Sequence, residues 1–194
     1  LCEAEWVLEN KMYDKSYNVI WEYFENDLRV RRHHEYISVT NAHALEWYGF
    51  VYEASLITGK RFPFLQKYGK KLLLASLERA CEKNGCFKNP YFPHANRSLP
   101  QAEFWSQSEA IMNILFAYHH YKDKKILKYG KSCLDFYITY FIDHKKGGIF
   151  SNVDETGFAY NRKKAFIYKC DHHSIRMCEK IIDYKLLENT IHEK

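Results

Sequence analysis

Apolar residues recur with helical rather than alternating spacing over most of the chain, and this pattern predicts helices near residues 2–12, 42–58, 63–83, 103–121, 124–142 and 172–187. Asn41 stands where an N-cap of the second helix would stand. Pro63 falls in the first turn of the third, where a missing backbone N–H costs nothing. Between helices lie aromatic, glycine-bearing segments such as Asn84-Gly85-Cys86-Phe87 and Gly147-Gly148-Ile149-Phe150, which suit short strands or hairpins. The reading is all-α, with hairpin-like excursions at one rim.

The segments repeat. Lys67-Tyr68-Gly69-Lys70 recurs as Lys128-Tyr129-Gly130-Lys131, and Gly85-Cys86-Phe87 is matched by Gly148-Ile149-Phe150. Glu46 and Glu109 are equivalent in the same register, and a third copy begins at His173 and stops after one helix. The unit is helix, turn, helix, hairpin. Three helices then present equivalent positions: His43 with Glu46, Ser106 with Glu109, and His173 with Arg176. Residues three apart share a helix face. In a toroid of helical hairpins such positions would converge on the central axis, which makes His43 and His173 a candidate acid/base pair. A closed α/α toroid takes about twelve helices, so six are expected to be part of one, a fragment or a half that associates with something else.

Composition narrows the function. At 194 residues the length suits one domain, 1–194. The formal charge of +5 is interspersed with acids rather than concentrated in a basic stripe, so nucleic acid is not the expected partner. No apolar run approaches the roughly 20 residues of a membrane span. Six cysteines without CxxC spacing, and no visible secretory signal, read as reduced thiols in a cytoplasmic protein. His33-His34 and His119-His120 are adjacent pairs that point in different directions and read as surface or packing.

Four segments resemble the N-acylglucosamine 2-epimerase superfamily, which includes cellobiose 2-epimerases and mannose-type isomerases. Asn41-Ala42-His43-Ala44-Leu45-Glu46-Trp47 looks like its Gly-His-x-x-Glu motif. Phe104-Trp105-Ser106-Gln107-Ser108-Glu109-Ala110 looks like its Trp-Trp-x-Gln-Ala-Glu-Ala motif. Gly147-Gly148-Ile149-Phe150 resembles its Gly-Glu-Trp-Phe hairpin, and Lys169 to Cys178 its closing Lys-Cys-x-x-His-x-x-Arg stretch. Ala42, Phe104, Ile149 and His172 depart from the pattern without removing a candidate catalytic group.

The resemblance implies the C-terminal half of an (α/α)6 barrel, with an absent N-terminal half supplying further pocket residues. It also implies metal-free chemistry without a cofactor, a small-molecule sugar as substrate, and a homodimer as a plausible assembly. His43 and His173 are implied as catalytic. One imidazole would take the C2 proton of an open-chain sugar and the other would return a proton to the opposite face. Glu46, Trp47, Trp105, Gln107, Glu109 and Arg176 are the expected substrate-binding residues: carboxylates and amide for hydroxyls, indoles for a sugar face, guanidinium for charge on oxygen. His172 would exchange roles with His173 if the alignment slipped by one residue.

The expected reaction is C2 epimerisation of an unphosphorylated sugar such as N-acetylglucosamine or N-acetylmannosamine. Return of the proton to C1 instead would make the same site an aldose–ketose isomerase. Two further alternatives are a glycosidase using Glu46 and Glu109, and a non-catalytic module that binds sugar or a partner.

Overall fold

The computed structural model describes residues 2–31, 36–167, 169 and 171–184. The chain divides into two compact units, Leu1–Ala80 with Lys88–Leu99, and Cys81–Phe87 with Pro100–Lys194. Among the described residues the strands form three two-stranded sheets, and every other regular element is helical.

In the first unit α1 (Cys2–Val7) runs into a wider π-helical turn, Leu8–Met12, and then into the antiparallel hairpin of β1 (Tyr13–Asp14) and β2 (Val19–Ile20). Helix α2 (Asn41–Thr58) ends at Gly59, whose φ of 66° supplies the left-handed stop. A second π turn at Leu65–Gly69 leads into α3 (Lys70–Ala80), which packs beside α2. A short hairpin of β3 (Tyr91–Phe92) and β4 (Arg97–Ser98) completes the unit. Leu8, Tyr13, Ile20, Ala44, Phe64, Tyr68 and Leu72 form one buried cluster.

Arg79 ties the polar side of this unit together. Its guanidinium donates to Asn41 Oδ1, the carbonyls of Tyr17 and Asn18, and Ser76 Oγ, and lies 4.8 Å over the Tyr91 ring. This explains why Asn41 does not cap α2. Its side chain is held by Arg79, it forms the first helical residue, and Thr40 occupies the cap position.

In the second unit β5 (Gln101–Glu103) pairs antiparallel with β6 (Asn152–Asp154). Glu103 then starts α4 (Phe104–Tyr121) through a capping box with Ser106. Helix α4 is the centre of the unit, buried from Ser106 to Ala117, and packs against α5 (Lys124–Phe136) and α6 (His172–Asp183). Asp123 caps α5 by accepting from the Lys125 N–H at 3.0 Å. Gly130 lets α5 approach α4, since a Cβ there would stand 2.9 Å from Ile114 Cγ2.

The helices fall where the periodicity predicts them, with one shortening. Residues 81–83, expected in the third helix, turn back through Gly85, whose φ is +92°. A Cβ at Gly85 would meet the Ser132 carbonyl oxygen, so only glycine fits. The expected excursions survive as isolated bridges, Cys81 with Phe87 and Ile142 with Ile149. The β1–β2 hairpin and the segment up to residue 40 had no reading from the pattern. The predicted end of the last helix, beyond residue 184, and the pair His33-His34 lie outside the described residues.

Candidate active site

His43 is the third residue of α2, so the helix start fixes its direction. Its Nδ1 lies 3.2 Å from Glu22 Oε1, and its Nε2 lies 3.8 Å from Glu46 Oε2, one turn along the helix. The ring is 44% exposed, whereas the two carboxylates are mostly covered. Glu22 is itself held: its Oε1 accepts from the Thr40 N–H at 2.7 Å and its Oε2 from the Thr40 hydroxyl at 3.1 Å. Trp47 is partly buried and packs against the Leu8–Leu72 cluster.

The second unit repeats the arrangement with other partners. His173 is the second residue of α6, and its Nδ1 lies 2.7 Å from Glu109 Oε1. Glu109 is buried on α4, and its Oε2 accepts from Asn113 Nδ2 at 3.0 Å. The carboxylate of Glu109 thus faces Nδ1 of His173, and a carboxylate in its ionised form can only accept there. The Trp105 ring stands 5.7 Å from the His173 ring, and its indole N–H donates to Glu103 Oε2 at 3.1 Å. Arg176 is half-buried one turn further along α6.

The two adjacent histidines at the start of α6 point differently. His173 turns inward to Glu109, whereas His172 is exposed, its ring 3.7 Å from that of His173. Partial burial and the neighbouring imidazole push the His172 pKa down.

Gln107 departs from its expected place among sugar-binding groups. It is wholly buried, its Nε2 donates to the carbonyls of Gly85 and Cys133, and its Oε1 accepts from the Phe87 N–H. Three backbone groups take up the amide, so Gln107 ties the Gly85 turn to α4 and α5. Lys169, which opens the closing motif, is also structural. Its Nζ donates to the carbonyls of Ile149 and Lys163 and lies 4.5 Å over the Phe104 ring, and burial pushes its pKa down.

Sequence reading missed Glu22 and Asn113. Glu22 lies far upstream of His43 in a segment without periodicity, and Asn113 is one polar residue in the apolar run from Ala110 to Ala117. Only the spacing of Asn113 four residues after Glu109 could have hinted at its contact. His119 and His120 are exposed at the end of α4, beside Tyr184 and Tyr121 respectively.

The family model for N-acylglucosamine 2-epimerase matches residues 3–172. The chain belongs to the N-acylglucosamine 2-epimerase family. Within this family it is 24% identical to a D-mannose isomerase of Marinomonas mediterranea over 94% of the chain and 47% of that relative. It is 35% identical to a cellobiose 2-epimerase of Ruminococcus albus over 82 residues, 41% of the chain and 21% of that relative. A solved cellobiose 2-epimerase from Bacillus thermoamylovorans superposes with a TM-score of 0.83 at 22% identity, covering 94% of the chain and 46% of that structure. A solved D-mannose isomerase superposes with a TM-score of 0.76 at 20% identity.

The chain therefore spans about half the length of the family members it matches, and its fold is the α/α-toroid type in which they are built. Among the described residues no helix is long and apolar enough to cross a membrane.

Proposed function

We propose that this chain carries the two acid/base histidines of a sugar 2-epimerase. In this reading one of His43 and His173, neutral at Nε2, takes the C2 proton of an open-chain sugar, and the other, entering as imidazolium, gives its Nε2 proton to the opposite face of the enediolate. The observation that carries it is the common environment of the two rings. Each sits at the start of a helix with Nδ1 against a carboxylate that other donors hold in place. Such a carboxylate orients the ring and steadies the imidazolium that forms during proton transfer.

Glu46 and Arg176, each one turn beyond its histidine, are assigned to sugar hydroxyls and to developing charge on oxygen. Trp105 offers a flat apolar face beside His173. Glu109 acts through His173, and Trp47 and Gln107 build the scaffold. The substrate class is an unphosphorylated reducing sugar of the N-acetylhexosamine type, and a homodimer is the expected assembly. No cofactor is assigned.

A second reading keeps the site and returns the proton to C1, giving an aldose–ketose isomerase. The identity to a D-mannose isomerase over 94% of the chain favours it. Proton NMR in D2O of the full-length protein with N-acetylmannosamine, mannose and cellobiose separates the two. Deuterium at C2 with an inverted product supports the epimerase, and a ketose product supports the isomerase. His43→Asn and His173→Asn should each slow exchange by about 10²- to 10⁴-fold. Wild-type rates in either variant would sink the two-histidine reading.

A further inference from the structure

We propose that Cys81 and Cys133 form a peroxide-oxidisable dithiol, a modification site whose disulfide clamps the Gly85 turn to α5. The two sulfurs stand 3.4 Å apart in hydrogen-bond contact, although the residues are 52 positions apart in the chain. Cys81 opens the turn that Phe87 closes, and Cys133 is among the buried residues of α5. Drawing the sulfurs together to the roughly 2.05 Å of a disulfide takes a movement of about 1.4 Å.

The main chain on both sides is already held. Within the turn the Glu82 N–H donates to the Cys86 carbonyl at 2.9 Å. Gln107 Nε2 joins the carbonyls of Gly85 and Cys133, and Gly85 lies so close to the Ser132 carbonyl that no side chain fits between them. Such a frame presents one thiol to the other at a high effective concentration.

The two thiols differ in access. Cys133 is wholly buried, and its hydrogen bond with Cys81, together with that burial, pushes its thiol well above the usual range, whereas Cys81 is partly exposed. Hydrogen peroxide therefore meets Cys81 first. The Cys81 thiolate attacks one peroxide oxygen, the O–O bond breaks, and the departing hydroxide takes up a proton as water, leaving a sulfenic acid. The Cys133 sulfur then attacks the Cys81 sulfur. The S–S bond forms, the S–O bond breaks, and the released hydroxide takes the Cys133 proton as a second water. Two thiols are oxidised and one peroxide is reduced to two waters, and a small-molecule dithiol reverses the change by exchange.

The test treats the full-length protein with hydrogen peroxide and maps its thiols by mass spectrometry of non-reduced digests. A peptide pair linked through Cys81 and Cys133 should appear and should vanish on adding dithiothreitol. The linked protein should melt about 5 °C or more above the reduced one. Exposed Cys178 is the internal reference, since its oxidation reports that peroxide was reactive. In Cys133→Ala, Cys81 should stop at the sulfenic acid and be trapped by dimedone, whereas in Cys81→Ala the buried Cys133 should stay reduced. If Cys133→Ala does not fold, brief peroxide exposure of wild type with dimedone present should label Cys81 and not Cys133. Oxidised Cys178 beside unlinked Cys81 and Cys133 overturns the proposal, as does linkage of Cys81 to Cys86 instead. A linked protein that melts no later than the reduced one overturns the clamp.

Discussion

Gln107 and Glu109 sit two residues apart in one motif and serve different ends. Glu109 turns to His173, whereas Gln107 turns to the backbone of Gly85, Phe87 and Cys133. Gln107→Leu should therefore leave two carbonyls and one N–H buried without their partner, at a cost of about 3 kcal/mol or more. Chemical denaturation should show that loss as a lower midpoint, with sugar exchange per folded molecule unchanged. A loss of exchange at unchanged stability would return Gln107 to the sugar site. The family motif alone could not separate these roles, because both residue types bond sugar hydroxyls and backbone equally well. Which one faces the histidine is set by helix rotation, and packing sets that rotation.

At the scale of elements, the hairpin-like turns depend on side chains that no periodicity reports. Asp143 closes the turn before Gly148, accepting from the N–H groups of Lys145 and Lys146 and pairing with Lys164 Nζ at 2.7 Å. Lys164, with the two backbone donors, holds its carboxyl down at about 2. A depressed carboxyl stabilises the fold above its unfolded-state value of about 4, and the contribution is lost as pH falls towards about 2. Asp143→Asn should thus lower the thermal midpoint at neutral pH, and the gap from wild type should narrow below about pH 4 and close near about pH 2. A gap that stayed constant with pH would mean that the charge contributes nothing. The helices were legible because burial of one face imposes a period. The shortened third helix and the displaced cap at Asn41 were not, since a left-handed Gly85 and the reach of Arg79 are tertiary facts.

Across the whole molecule, the +5 charge is distributed among acids, and the proposed substrate is neutral. Raising salt from about 50 to 500 mM should therefore change kcat/KM less than about twofold, because there is no long-range attraction to screen. A steep fall would point to an anionic sugar instead. The sequence by itself determined the all-α class, the six helices, the repeat and the two histidines at helix starts, because burial periodicity and short-range motifs are written in adjacent residues. Only the tertiary structure decided which carboxylate meets which imidazole. It brought Glu22 to His43 across the Thr40 turn and Glu109 on α4 to His173 on α6. It also sent Gln107, Lys169 and Trp47 into the scaffold. A side chain's partner depends on how helices and loops are rotated against one another, and that rotation is chosen by the packing of distant apolar residues, which local spacing does not encode.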